Sequence, residues 1–357
     1  MTTFPTRSPR QGIPAVSLRA LLPEAEIVGG PDLVASGISA DSLRIEPGQV
    51  FVAIDDPSGL ATARAIERGA AGVVADRICL EGGPVQVIVG DTRSALAKIA
   101  HAVAGEPSRW MPVVGVTGGE ASEAALLFLR SIFEADGRCV GVAGQKAGRA
   151  DAVSLSRDLA TILERGCDLA LAHVAPDGLN DRIADGLILS SALIASDGHS
   201  TRDDVRAFAR LARRIGPGGI LAVDCTDVEA MLLPAANLHV REMTFSVDAD
   251  AMIQALVERR DLDATRLRLI GLDREQTVEL PPIGAAALRA AMGAAAVARG
   301  MGATDGAIVA GLESVAFDPG RRGPIAFVLW PRALAHSTTD SLSLARTTLD
   351  MPARRAG

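Results

Sequence analysis

The chain has 357 residues, which at roughly 150 residues per domain predicts two or three domains. Its apolar (48%) and charged (22%) fractions are typical of a globular α/β protein and exclude a disordered, collagen-like or disulfide-rich chain. A net charge of -7, an aromatic content of 3% and the lack of tyrosine argue against nucleic-acid binding. Of the 36 basic residues only Lys98 and Lys146 are lysines, so chemistry that requires a lysine has two candidates.

The N-terminal segment and the cysteines bear on compartment and metal binding. The chain starts without an apolar core of signal-peptide length, and the Ala-rich stretch 284–298 is interrupted by Arg289. We therefore expect a soluble, cytoplasmic protein without a membrane span. The chain has four cysteines, Cys79, Cys139, Cys167 and Cys225. Since these cysteines show no CxxC or CxxxH grouping, we expect four separated, buried and reduced thiols and no metal site.

The N-terminal third of the chain alternates short apolar runs with helical periodicity, as in a small α/β unit. Residues 1–16 lack such a period and are predicted to be a disordered tail. The predicted elements after it are strands 49–54, 72–75 and 85–89 and helices 61–69 and 92–104. A Glu-Pro-Ser-Arg cluster at 106–109 predicts the boundary to the next domain.

The second unit opens with a buried-strand pattern at 111–117, a glycine turn, a helix at 122–136 and a strand at 139–143, which is the order of a βαβ crossover. The predicted elements continue as helix 153–165, strands 168–174 and 186–192, helix 201–215, strands 219–224, 241–247, 266–271 and 276–280, helices 284–299 and 304–312, strand 325–329 and helix 339–348. Thr201 and Asp204 match a capping box at the start of helix 201–215. We therefore predict an α/β fold with a mostly parallel sheet flanked by helices.

Several short segments, taken in order, resemble the Mur ligases, most closely the MurE type, which adds the third amino acid to the UDP-linked peptidoglycan precursor. Segment 38–51 resembles the motif DSR-x-V-x-PG-x-LF, and segment 65–74 resembles AI-x-x-GA-x-AVV. The later matches are 112–118, 129–135, 308–313, 319–321, 335–336 and 340–342. The resemblance covers the chain almost end to end.

The resemblance implies a domain organisation. It implies an N-terminal domain of UDP-binding type at 17–107, a central Mur ligase domain at 108–323 and a truncated remnant of the third domain at 324–357. About 30 residues cannot bury a core of their own, so the remnant is expected to pack on the central domain.

Segment 117–124 stands where the family carries its phosphate loop, TGTNGKTT. Such a loop binds nucleotide through glycine N–H groups, a helix N-terminus, a lysine on the terminal phosphates and a hydroxyl on Mg²⁺. Here the loop consists of Thr117, Gly118, Gly119, Glu120, Ala121, Ser122 and Glu123. Ser122 replaces the lysine, Glu123 the metal-binding hydroxyl and Ala121 a glycine. One carboxylate about 4 Å from a phosphate charge costs roughly 4 kcal/mol at an effective dielectric of about 20, so we expect that ATP and Mg²⁺, both required by the family, are not bound.

The resemblance also implies that residues of two other family motifs in the central domain are replaced in this chain. His173 stands at the glutamate of the family's EVSSHAL motif, and Asp177 stands at its histidine. His199 belongs to the turn after which the family carries a carbamylated lysine, and no lysine follows Lys146. A lone histidine at a strand end is more often a packed residue than a metal ligand, so metal binding by His173 is the less favoured alternative.

Two further pairs of residues are remnants of family motifs. Arg321 and His336 belong to the close of the central domain and the start of the third domain. Asp41 and Ser42 remain from the UDP-binding segment of the first domain and could still bind a uridine nucleotide. The favoured alternative is that the segment is only a retained turn and binds no ligand.

Three functions follow from these observations. The favoured one is a Mur ligase relative without ligase activity that acts as a binding or scaffold protein in peptidoglycan precursor synthesis, since function is inferred from sites and not from fold. Its partners would be a UDP-linked muramoyl precursor, an active Mur ligase or a second copy that packs on helix 284–299. The alternatives are a divergent active ligase that uses Lys98 or Lys146, and a UDP-sugar sensor built on residues 17–105.

Overall fold

A computed structural model describes the chain over residues 15–79, 83–119, 121–144, 151–237, 239–261 and 264–315. Four residues singled out above, Glu120, Lys146, Arg321 and His336, lie outside the described residues, as do the predicted strand 325–329 and helix 339–348. Of the predicted tail, residues 1–14 also lie outside them, and Val16 already belongs to the first strand.

The N-terminal part forms a five-stranded sheet and a two-stranded ribbon. Its elements are β1 (Val16–Ser17), α1 (Leu18–Leu21), β2 (Glu26–Val28), β3 (Val34–Ala35), β4 (Ile38–Ser39), β5 (Val50–Val52), α2 (Leu60–Glu67), β6 (Gly72–Ala75), β7 (Val85–Ile88), α3 (Thr92–Val103) and α4 (Pro107–Trp110). The sheet has the order β2-β7-β6-β5-β4, and only β2 pairs antiparallel. The short helix α4 lies where the Glu-Pro-Ser-Arg cluster predicted a boundary.

The larger part is built on a nine-stranded sheet. Its elements are β8 (Val113–Gly118), α5 (Ala121–Ala135), β9 (Val140–Ala143), α6 (Ala152–Glu164), β10 (Leu169–His173), α7 (Pro176–Asn180), β11 (Leu189–Ala195), α8 (Arg202–Ala212), β12 (Ile215–Asp224), α9 (Leu232–Ala236), β13 (Arg241–Val247), β14 (Ile253–Arg260), β15 (Thr265–Ile270), β16 (Gln276–Leu280), α10 (Ala285–Gly300) and α11 (Asp305–Ser314). The order is β16-β15-β14-β13-β12-β11-β8-β10-β9, with parallel pairing from β9 to β14 and antiparallel pairing in β14, β15 and β16. The predicted α/β fold with a mostly parallel sheet is confirmed.

The structure differs from the sequence prediction at several elements of this part. The strand predicted over 186–192 is β11 at Leu189–Ala195, and α7 and α9 were not predicted. β14 was not predicted, because its Gln, Ala, Leu, Glu and Arg residues favour helix; pairing with β13 and β15 makes it a strand. The helix predicted over 201–215 ends at Ala212, and Ile215 instead starts β12 opposite Leu189. The capping box that begins this helix is confirmed.

Helix α10 packs against α5 and lies across strands β11 to β14. Leu288 and residues 290–298 are all buried against the chain's own side chains. Its alanine content therefore serves close internal packing. The interpretation of this helix as a surface for a partner was wrong.

The N-terminal and central parts share buried surface. Helix α3 packs against α6, and Val87, Leu96, Leu155 and Leu159 belong to one continuous hydrophobic cluster that includes both parts. Within the described stretches of the chain, no helix is long and apolar enough to cross a membrane.

The prediction of four separated, buried thiols was wrong. Cys139 is exposed, and Cys79, Cys167 and Cys225 are half-buried. The Sγ atoms of Cys139 and Cys167 lie 2.9 Å apart although the residues are 28 positions apart in sequence. Sequence spacing missed the pair because adjacent strands of a parallel sheet bring distant residues together.

Candidate functional site

The turn between β8 and α5 lies at the carboxyl edge of the central sheet. β8 pairs in parallel with β10 on one side and β11 on the other, so three strands end here, as at the ligand crevice of many α/β proteins. Gly118 has a φ of 138°, and a Cβ at this position would overlap the carbonyl oxygen of Ala195. Only glycine fits there. The strand, glycine turn and 15-residue helix of a phosphate loop are therefore present.

The side chain at the lysine position is turned into the protein. Ser122 is 1% exposed, and its hydroxyl donates to the carbonyl of Gly119 at 2.7 Å. The Ser122 Oγ also lies 2.9 Å from Nε2 of His173. The hydroxyl therefore lies between a carbonyl oxygen and an imidazole nitrogen, both within hydrogen-bond distance. Ser122, His173 and Gly119 thus form one set of contacts inside the protein.

His173 ends β10 and is half-buried. Burial lowers the pKa of its imidazole below 6.5, and the nearby carboxylate of Glu123 only partly offsets this effect. Glu123 is exposed in the first turn of α5. At neutral pH the imidazole is uncharged, so the turn presents a neutral ring and a carboxylate where a nucleotide site would need cations.

A second feature of this edge is an ion pair whose carboxylate is fully buried, at the end of β12. Asp224 ends β12 with a fully buried side chain, and its Oδ2 lies 3.3 Å from Nε of Arg289. The Oδ1 of Asp224 accepts the N–H and the hydroxyl of Thr226 at 2.8 and 2.6 Å. Nη1 of Arg289 donates to the carbonyl of Asp197 at 2.8 Å. The guanidinium is therefore already engaged on two sides by the protein.

Arg289 was not predicted as a residue of the site, because in the sequence it only interrupts an apolar stretch. A single charge in an otherwise apolar helix is itself a signal, because a buried helix tolerates such a residue only beside a partner of opposite charge.

The predicted site residues separate into those at this edge and those elsewhere. Ser122, Glu123 and His173 lie together, Asp177 is exposed in the first turn of α7, and His199 is exposed in the turn between β11 and α8. Thr117 is buried, and its Oγ1 has no hydrogen-bond partner among the residues that the structure describes. Among the described residues no group of three or more His, Cys, Asp or Glu side chains is arranged to hold a metal ion.

Neither lysine is placed at the loop by the described structure. Lys98 lies on α3, where its Nζ is 3.6 Å from Oε1 of Glu24, and Lys146 is outside the described residues. With Ser122 turned inward, Glu123 at the hydroxyl position and Arg289 engaged, the side chains that the structure describes at this edge do not by themselves fit a Mg²⁺–ATP complex.

Asp41 and Ser42 lie in the turn after β4. Oδ1 of Asp41 accepts the N–H of Leu43 at 2.8 Å, its Oδ2 lies 3.6 Å from Nε of Arg44, and Ser42 is buried. The carboxylate organises its own turn, as Asp commonly does. Binding of a uridine nucleotide by these two residues stays a prediction.

The chain is similar to known proteins in sequence and in fold. No protein-family model matches the chain. The UDP-N-acetylmuramoyl-L-alanyl-D-glutamate–2,6-diaminopimelate ligase of Mesorhizobium japonicum is 31% identical over 334 residues, which cover 85% of this chain and 68% of the relative. The ligase of the same name from Syntrophomonas wolfei is 27% identical over 325 residues, 83% of this chain and 66% of the relative.

Solved structures agree with the sequence comparison. A structure of a ligase of the same name matches with a TM-score of 0.75 at 18% identity, over 86% of this chain and 68% of that one. MurF from Acinetobacter baumannii matches with a TM-score of 0.58 at 18% identity, over 85% and 68%. The chain thus spans about two thirds of the length of these proteins. Fold and sequence agree that the chain belongs to the Mur ligase family and is related to its MurE-type members.

Proposed function

We propose that this chain is a MurE-type relative that does not use ATP for ligation and acts as a binding or scaffold protein in peptidoglycan precursor synthesis. The observation that carries the proposal is the position of Ser122. It stands where the family has its phosphate-binding lysine, it is 1% exposed, and its hydroxyl is already bonded to Gly119 and His173. A buried serine in a closed set of hydrogen bonds supplies neither charge nor reach to a terminal phosphate.

The surroundings of Ser122 support the same proposal. Glu123 adds negative charge at the mouth of the turn, and His173 is held neutral by burial. Arg289 is bound to Asp224 and Asp197. Binding a triphosphate here would require breaking the buried ion pair or approaching an uncompensated carboxylate, and both cost free energy.

The ligand that we propose is a UDP-linked muramoyl dipeptide, bound by the N-terminal part. The relatives' names give UDP-N-acetylmuramoyl-L-alanyl-D-glutamate as the molecule that they extend. The five-stranded sheet of the N-terminal part is complete in the described residues, and it carries the turn with Asp41 and Ser42. A protein that keeps the precursor site without the nucleotide site would bind the precursor, or associate with an active Mur ligase, without turnover.

The experiment that tests the loss of activity is a ligase assay with the full chain. Precursor dipeptide, diaminopimelate, ATP and Mg²⁺ are supplied, and ADP and the tripeptide product are measured, with the Mesorhizobium japonicum ligase as the positive control. We expect neither product above background. Steady, precursor-dependent formation of ADP and tripeptide would contradict the proposal.

A second measurement tests precursor binding separately. A ligand that binds only the folded chain at about 100 times its Kd raises the unfolding free energy by roughly 2.7 kcal/mol, so the precursor should raise the melting temperature and ATP should not. The variant Asp41→Asn should reduce the shift, whereas Asp76→Asn, at an exposed site beside Arg77, should leave it unchanged. No shift with the precursor would remove precursor binding from the proposal.

A further inference from the structure

The loops that lead into the edge strand β9 and its neighbour β10 each carry a cysteine. Helix α5 ends at a turn in which Gly137 has a φ of 80°, and Cys139 follows directly before β9. Helix α6 ends at a turn in which Gly166 has a φ of 73°, and Cys167 follows shortly before β10. Each of these two neighbouring strands is thus preceded by a helix, a glycine with positive φ and a cysteine. Both cysteines lie at the end of the sheet opposite the β8–α5 turn.

The backbone around the two cysteines is fixed by a reciprocal pair of hydrogen bonds. The N–H of Asp168 donates to the carbonyl of Cys139 at 2.9 Å, and Oδ2 of Asp168 accepts the N–H of Cys139 at 2.7 Å. Cys167 directly precedes Asp168, so it lies diagonally opposite Cys139 in the neighbouring loop. With about 4.8 Å between strands and about 3.3 Å along one, such neighbours have Cα atoms about 6 Å apart, within the range that a disulfide spans.

The side chains complete this geometry. The two Sγ atoms lie 2.9 Å apart, so a bond between them requires a small side-chain adjustment and no change in pairing of the strands. Cys139 is exposed, which gives a dissolved oxidant access to one of the sulfurs. By contrast, the other thiols donate to carbonyls, Cys79 to Arg77 at 3.4 Å and Cys225 to Asp250 at 3.3 Å.

We propose that Cys139 and Cys167 form an oxidative modification site, a dithiol that a peroxide converts to an intramolecular disulfide. The Cys139 thiolate attacks one peroxide oxygen, the O–O bond breaks, and a sulfenic acid and water form. The sulfur of Cys167 then attacks the sulfenic sulfur, and the second oxygen leaves as water. Two thiols and one hydrogen peroxide thus give one disulfide and two molecules of water. The site is independent of the function proposed above.

The surroundings set the order of the two steps. Burial and the neighbouring Cys139 sulfur raise the pKa of Cys167 to about 11, so this thiol keeps its proton at neutral pH. The exposed Cys139 is then the sulfur that meets the oxidant, and Cys167 resolves the sulfenic acid. Ring closure should accelerate as pH rises, because a larger fraction of Cys167 is then thiolate.

The test uses the full chain, fully reduced, freed of reductant and treated with a small excess of hydrogen peroxide. Remaining thiols are alkylated, and the protein is digested with trypsin without reduction and analysed by mass spectrometry. Trypsin separates the two cysteines into peptides 139–146 and 166–182. We expect these peptides to be joined, the alkylated thiols to fall from four to two, and dithiothreitol to restore all four.

Variants make the assignment specific. Cys139→Ser and Cys167→Ser should each abolish the joined peptides, whereas Cys79→Ser and Cys225→Ser should leave them unchanged. We expect the pair to lose alkylatable thiol at least tenfold faster than Cys79 or Cys225. Oxidation of Cys139 to a sulfinic acid while Cys167 stays alkylatable, or a disulfide between two copies of the chain, would overturn the proposal.

Discussion

At the carboxyl ends of β8 and β10, the polar side chains are bonded to each other, with Ser122 held between His173 and the Gly119 carbonyl. At the opposite ends of β9 and β10, the thiols of Cys139 and Cys167 face each other across the strand pair. The backbone is fixed at both ends, by Gly118 against Ala195 in one case and by Asp168 in the other. The two ends differ in their side chains, because the polar groups at one end already contact each other, whereas the two thiols at the other end are free to form a bond.

The largest effect should come from the glycine at the carboxyl end. Gly118→Ala places a Cβ against the Ala195 carbonyl, so we expect a loss of at least about 3 kcal/mol in the free energy of unfolding, measured by urea denaturation. Gly137 is the matched control at the opposite end of the sheet. It also has a positive φ, but a Cβ there would have no neighbour within 4 Å, so Gly137→Ala should cost about 1 kcal/mol. Equal losses would show that the close approach to Ala195 does not fix the turn.

A smaller effect should follow from breaking the buried ion pair at the carboxyl edge. Arg289→Ala leaves the fully buried Asp224 carboxylate without its cation, and because Arg289 itself is partly exposed we expect a loss of about 2 kcal/mol in unfolding free energy. Arg206→Ala is the control, because Arg206 and Asp203 are both largely exposed, and it should change stability by less than about 0.5 kcal/mol. If Arg289→Ala were as mild as the control, the pair would not hold this part of the site together.

The smallest effect concerns pH. Burial lowers the pKa of His173 in the folded chain, so the unfolded chain takes up its proton at a higher pH. Its contribution to stability is therefore present above about pH 6.5 and is lost as pH falls below that value. We expect His173→Gln to flatten the decline of the melting temperature between pH 7 and pH 5, and the exposed His199→Gln to leave it unchanged. An unaltered decline in His173→Gln would contradict the environment assigned to this residue.

The wild-type decline will not vanish in that variant. Burial lowers the pKa of His101 to about 4, so this second histidine contributes in the same direction over a wider range. The contribution of His173 is therefore obtained as the difference in melting temperature between His173→Gln and the wild type at each pH.

Much of the fold could be predicted from the sequence because local patterns determine it. The β8–α5 turn, the βαβ spacing and the capping box at Thr201 all depend on residues close together in the chain. β14 could not be predicted, because its residues favour helix and its neighbours make it a strand.

The site was predicted only as a set of replaced residues. The hydrogen bond between Ser122 and His173 joins positions 51 apart, and the bond from Arg289 to Asp197 joins positions 92 apart. Such contacts depend on strand order and helix packing, which residue types alone do not determine. The sequence shows that a serine stands at position 122, but it did not predict that the hydroxyl is buried between the Gly119 carbonyl and His173.

The most direct test of the central claim is a calorimetric titration of the full chain with ATP and Mg²⁺. We expect no saturable binding with a Kd below about 1 mM. A variant that carries Ala121→Gly, Ser122→Lys and Glu123→Thr restores the family's residues at these positions and should bind at least tenfold more tightly than the wild type. Saturable binding of ATP and Mg²⁺ by the wild type in the micromolar range, unimproved in this variant, would contradict the account.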